Sequence, residues 1–128
     1  MSVLRTILVT LQCVMISAGS LHAENDLVKS FASCTGRYSA EMEHAWLISD
    51  PRADEFEARR LSFVALLDAT VTPDTARQTL HYRINAKHAH AGLLQVARFN
   101  LDTSRANAAR SAAARLLSQC DYLLLGGA

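Results

Sequence analysis

Residues 1–23 decide how much of this chain is available to fold. Arg5 stands near the start, residues 7–16 form an apolar run, and Ser17-Ala18-Gly19-Ser20-Leu21-His22-Ala23 form a small-residue exit. This is the three-part layout of a cleavable secretory leader. The run is shorter than the roughly 20 predominantly apolar residues of a membrane anchor, and Thr10 and Gln12 interrupt it. Cys13 is poorly placed for lipidation, because it lies inside the run and follows Gln12 where that signal takes a small residue. The expectation is cleavage after Ala23, giving a periplasmic or secreted protein with no stable membrane anchor.

The remaining residues, 24–128, suffice for one small domain around one hydrophobic core. Arg5 is the only charged residue in the leader, so 12 basic residues face 12 acidic ones in the mature chain. That balance gives no electrostatic reason to expect nucleic acid or an anionic membrane as partner. Setting Cys13 aside with the leader leaves Cys34 and Cys120. An oxidising compartment favours their pairing as a disulfide, and neither cysteine has a catalytic setting.

The fold class expected is all-α, a small up-down four-helix bundle. Helix A runs over about residues 25–48, with Leu27, Phe31, Cys34, Tyr38, Met42 and Ala45 on one face. It ends at Ser49-Asp50-Pro51, since proline disfavours helix in the residue before it. Helix B, about 52–70, carries Phe56, Phe63, Val64, Leu67 and Val71 on its stripe. In Thr72-Pro73-Asp74 a cap precedes a proline at the first helical position, so helix C is expected from Pro73 to about Phe99. Helix D opens near Asp102-Thr103-Ser104, registers Ala106, Ala109, Ala113, Leu116, Cys120 and Leu123, and ends at Gly126-Gly127. Antiparallel A and D bring the two cysteines to the same end of the bundle.

Helix C has two apolar sides. Tyr82, Ala86, Ala89, Leu93 and Val96 form one stripe, and Leu80, Ile84, Ala91 and Leu94 lie nearly opposite. Leu80, Ile84 and Leu94 are therefore candidates for contact with a protein partner or a second copy. Gly36 falls mid-helix opposite the stripe of helix A, where glycine costs about 1 kcal/mol relative to alanine. With Arg37 beside it, this spot is a second candidate recognition patch, approached from outside helix A.

Other constellations carry less. Glu41-Met42-Glu43-His44 holds one Glu-x-x-His, but a di-iron bundle needs a second motif and further glutamates, and helices C and D contain no Glu. His81 and His88 share a face about 10 Å apart along the axis, while His90 points about 160° away. They form no compact three-ligand site, and His81 or His88 could join only a weak metal site completed by a neighbouring acid. Glu41 and Arg60 are expected to pair across the A–B seam. No nucleophile, glycine-rich loop or haem-attachment motif stands at a recognisable spacing, so no catalytic residue and no cofactor is assigned.

The segment Cys34-Thr35-Gly36-Arg37-Tyr38-Ser39-Ala40, continued by Glu41-Met42-Glu43-His44-Ala45-Trp46-Leu47, and the later His81-Tyr82-Arg83-Ile84 resemble uncharacterised small exported helical proteins of alphaproteobacteria. The resemblance implies the compartment and the helical class and brings no activity. The sequence thus points to an exported binding or interaction module; its alternative is a weak metal or small-ligand binder using the histidines of helix C.

Overall fold

The computed structural model describes residues 18–126; the apolar run and Cys13 lie outside the described residues. Four helices follow in order: α1 (Ala18–Leu47), α2 (Ala53–Thr70), α3 (Ala76–Phe99) and α4 (Thr103–Leu124). No strand occurs among the described residues, and no helix among them is long and apolar enough to cross a membrane. The protein is an all-α four-helix bundle. α1 runs through the expected cleavage point, yet the side chains from His22 to Leu27 are all exposed. Cleavage there would therefore take no core side chain with His22 and Ala23.

Local chemistry sets the helix ends. α1 stops where Ser49 takes a left-handed conformation (φ 56°) and the Asp50 amide donates to the Ala45 carbonyl at 2.8 Å. This closure satisfies an orphan carbonyl before Pro51 forbids further helix. Asp102 caps α4, its carboxylate accepting from the amides of Ser104 at 2.9 Å and Arg105 at 3.2 Å. α3 starts later than the proline signal suggests, at Ala76 and not at Pro73. The Thr75 hydroxyl accepts from the Thr72 amide at 3.0 Å, and the Thr75 amide donates to the Thr72 carbonyl. Those bonds hold residues 72–75 as a turn, and the ladder begins with the Thr79 amide on the Thr75 carbonyl.

α1 is the hub of the bundle. Between Phe31 and Met42 it is buried almost all round, because α2, α3 and α4 each pack on a different side of it. Toward α2 it offers aromatic rings: Tyr38 stacks on Phe63 at 5.9 Å between centroids, with Phe31 and Phe56 close by. Toward α4 it offers Cys34, joined to Cys120 with the two Cα atoms 5.6 Å apart. The Tyr38 hydroxyl and the Arg59 guanidinium both donate to Asp121, so α1, α2 and α4 meet on one carboxylate beside the disulfide. Burial and the Asp121 hydrogen bond raise the Tyr38 pKa well above that of a free phenol.

The A–D adjacency expected from the cysteines is present, but the broadest seam of α1 is with α3. These helices run parallel, since Lys29 lies over the Tyr82 ring, Glu43 pairs with Lys87, and Ala40 and His44 share a groove with Ala91 and Leu94. Gly36 explains the close approach. A Cβ there would stand 2.2 Å from the Arg83 carbonyl oxygen and 2.9 Å from the Lys87 amide nitrogen. The outer patch expected at Gly36 is thus filled by the chain's own α3. Leu27 also departs from its expected place on the core stripe and is exposed, with Val28 buried instead.

Candidate functional site

The α3 face that meets α1 is polar at its centre. Its two buried residues are Thr79 and His90, neither of which belongs to an apolar stripe of the sequence. The expected stripe is only half-buried at Tyr82, Ala86 and Leu93, and Ala89 and Val96 are exposed. His90 has no exposed side-chain surface, and its Nε2 donates to Glu41 Oε1 at 2.7 Å. Its Nδ1 has no hydrogen-bond partner among the described residues. Glu41 therefore pairs across the α1–α3 seam, not with Arg60 across the α1–α2 seam. Among the described residues Arg60 makes only a long contact to Glu57, at 3.9 Å, and its buried Nε has no partner.

Glu41 reaches from this pair into a cleft of about 360 Å³ at the end of the bundle where α1 and α3 finish and α4 begins. Ile48, Phe56, Leu94, Ala97, Ala113 and Leu117 supply its apolar walls. The opening exists because Ala97, Ala113 and Ala114 stand where larger side chains would close the gap between α3 and α4. Its volume falls at the low end of the range for ligand pockets, about 300–1,000 Å³.

The charges around the cleft are arranged unequally. Asp50 and Arg52 satisfy each other through two bonds, Arg52 Nη2 to Oδ2 at 2.7 Å and Nε to Oδ1 at 3.1 Å. Those bonds and the Arg52 amide lower the Asp50 pKa to about 2. Glu41 is engaged by His90. Among the described residues Arg110 donates only to neutral acceptors, the Asn107 side chain at 2.6 Å and the Ala97 carbonyl at 3.1 Å. Arg98 makes no hydrogen bond or ion pair among the described residues. Two guanidiniums thus remain unmatched beside an apolar wall.

The other residues singled out from the sequence are dispersed. Arg37 is half-buried in the α1–α4 seam, where its Nη1 lies 3.5 Å from Cys120 Sγ and burial lowers its pKa. Leu80 and Ile84 are 55% and 45% exposed, forming one side of a shallow groove with Met42 and Arg60. Leu94 lies farther along α3, between the cleft and a second groove with Leu47 and Phe99. His81 is exposed and bonds Asn85, His88 is exposed, and no metal-ligand trio occurs among the described residues. From sequence His90 shows only as the histidine turned away from His81 and His88, and Arg98 and Arg110 carry no expected role. The one available signal was the spacing of Thr79, Arg83, Ala86, His90, Leu94 and Ala97 on a single helical face, which shows as a seam only if polar positions are allowed to be buried.

Comparison with protein families, characterised proteins and solved structures finds no match to this chain.

Proposed function

We propose that this chain is an exported helical module that works by binding, and that its ligand site is the cleft between α1, α3 and α4. The observation that carries the reading is the convergence of unmatched Arg98 and Arg110 on an apolar wall kept open by three alanines. Binding is favoured over catalysis because the one acid–imidazole pair turns inward. His90 is fully covered and its free nitrogen faces protein, so it cannot exchange a proton with a ligand in the cleft. Export to the periplasm or the medium is supported by the leader pattern and by the Cys34–Cys120 pair, which an oxidising compartment would maintain.

The test is nuclear magnetic resonance on the mature chain, with a probe set of organic anions, organic cations and neutral amphiphiles. At least one class should shift the signals of Leu94, Ala97 and Ala114, and Ala114→Leu, which fills the opening, should abolish the shift. Absence of any response at these residues across all three classes would overturn the cleft as the site.

A second reading has its own observation. Leu80 and Ile84 are exposed side by side on α3, which supports contact with a second copy of the chain through that flank. Sedimentation of the mature protein checks it: Leu80→Glu with Ile84→Glu should turn a dimer into a folded monomer. A parent that is monomeric throughout the accessible concentration range would refute it.

A further inference from the structure

Building on the cleft as a binding site, we infer that its ligand is a small amphipathic anion, a medium-chain carboxylate in the simplest case. The head would rest on Arg98 and Arg110, and the tail would lie along Leu94, Ala97, Ala114 and Leu117.

Three features lead there. First, the two carboxylates at the cleft are already satisfied, Asp50 by Arg52 and Glu41 by His90. An incoming cation would have to compete with those partners, whereas an incoming anion meets open donors. Second, Arg110 is held in place by the Ala97 carbonyl, so its planar fork is oriented before a ligand arrives, the condition under which guanidinium binds carboxylate well. Third, the wall beyond the arginines is apolar and continues along α4 from Arg110 to Leu117. Those seven helical steps rise about 10 Å, room for an alkyl chain of medium length and too little for a long acyl chain in one straight run. A purely inorganic anion would leave this wall wet; a neutral alkane derivative would leave both guanidiniums unused.

Calorimetric titration of the mature disulfide-bonded protein tests the inference, with hexanoate, octanoate and decanoate as a series below their micellar concentrations. Affinity should tighten about fourfold per methylene while the tail remains in the cleft, the equivalent of the transfer free energy of one buried CH₂. Decanol and decyltrimethylammonium should bind far more weakly than decanoate. Arg98→Gln, which touches no intrachain partner among the described residues, should weaken decanoate about 10- to 100-fold, the range for a charge-assisted hydrogen bond. Arg115→Gln, on the same helix as Arg110 but outside the cleft lining, should have no effect. If decanol or the ammonium probe binds as well as decanoate, or Arg98→Gln leaves decanoate unchanged, the anion assignment fails while the cleft survives as a site. If no probe of any charge binds, both fall together.

Discussion

Replacing Gly36 with alanine sets two effects of opposite sign against each other. Within an isolated helix the change should stabilise by about 1 kcal/mol, because alanine loses less backbone entropy and is the best helix former. In the bundle the new Cβ would meet the Arg83 carbonyl oxygen at 2.2 Å and the Lys87 amide nitrogen at 2.9 Å. Both are backbone atoms of α3, so no rotamer change can relieve the contact and the helices must separate along the broadest seam of the fold. Overpacking of a tight interior costs about 1–3 kcal/mol, occasionally more, and a backbone clash this close belongs at the upper end. Subtracting the propensity gain leaves a net loss of about 2 kcal/mol. For a domain of this size that lowers Tm by about 8–16 °C. Gly92 supplies the control, since a Cβ there meets nothing within 4 Å; Gly92→Ala should raise stability by about 0.5–1 kcal/mol. Thermal and urea denaturation followed by circular dichroism reads both. A Gly36→Ala protein as stable as the parent would show that α1 and α3 do not lie this close, and the seam as described would be wrong.

Other consequences follow from the same contacts. Cys34 and Cys120 should resist alkylation until reduced; replacing both with alanine should lower stability by at most about 4–5 kcal/mol, the chain-entropy value for the 86-residue separation, with helix content kept, and two freely alkylated thiols in the exported protein would refute the pairing. Glu41→Ala should cost about 1–3 kcal/mol because it strands the covered imidazole of His90, and the double change Glu41→Leu with His90→Leu should be less harmful than the single one; equal losses would mean that the pair is not coupled. Tyr38 should ionise late, above the range of a free phenol. Its pKa is raised by burial and by its bond to Asp121, so its contribution to stability is complete below the free phenol value of about 10 and disappears as pH climbs above it. Ultraviolet titration should show a late phenolate component that appears with unfolding and is missing in Tyr38→Phe.

The helix count, the helix class and the covalent link were legible because each rests on local chemistry. The stripe of α4 emerged as read, with Ala106, Ala109, Ala113 and Cys120 buried, since one side of that helix is covered and the other is wet. The same method fails on α1 and α3 for opposite reasons. α1 is covered from three sides, so Thr35, Gly36, Ser39 and Glu41 are as hidden as Phe31 and Tyr38, and a one-sided stripe underestimates what it buries. α3 buries Thr79 and His90 and leaves Leu80 and Ile84 in the open, so hydrophobicity points to the wrong side of the helix. A small residue at the centre of α1 was the better guide to the seam, but glycine alone does not say which chain comes close.

The candidate site was hidden for a related reason. A cleft is made of what is missing, and Ala97, Ala113 and Ala114 read in sequence as favourable helix formers on two separate elements. Only their juxtaposition across the α3–α4 seam turns them into an opening. The charges are equally silent in sequence. Arg98 sits in the last turn of α3, where any cation is favoured by the helix dipole, and Arg110 is one of several arginines along α4. Arg52 has Asp50, Lys87 has Glu43 and Arg59 has Asp121; Arg77, Arg83 and Arg115 also stand in no ion pair among the described residues, and what distinguishes Arg98 and Arg110 is that they line the cleft beside the alanines. The fold places its covalent and aromatic bracing toward the opposite end, at Cys34–Cys120, Phe31 and Phe63. The end bearing the cleft is joined by the Glu41–His90 pair and by Phe56 of the core, and it carries its small residues and exposed guanidiniums around them.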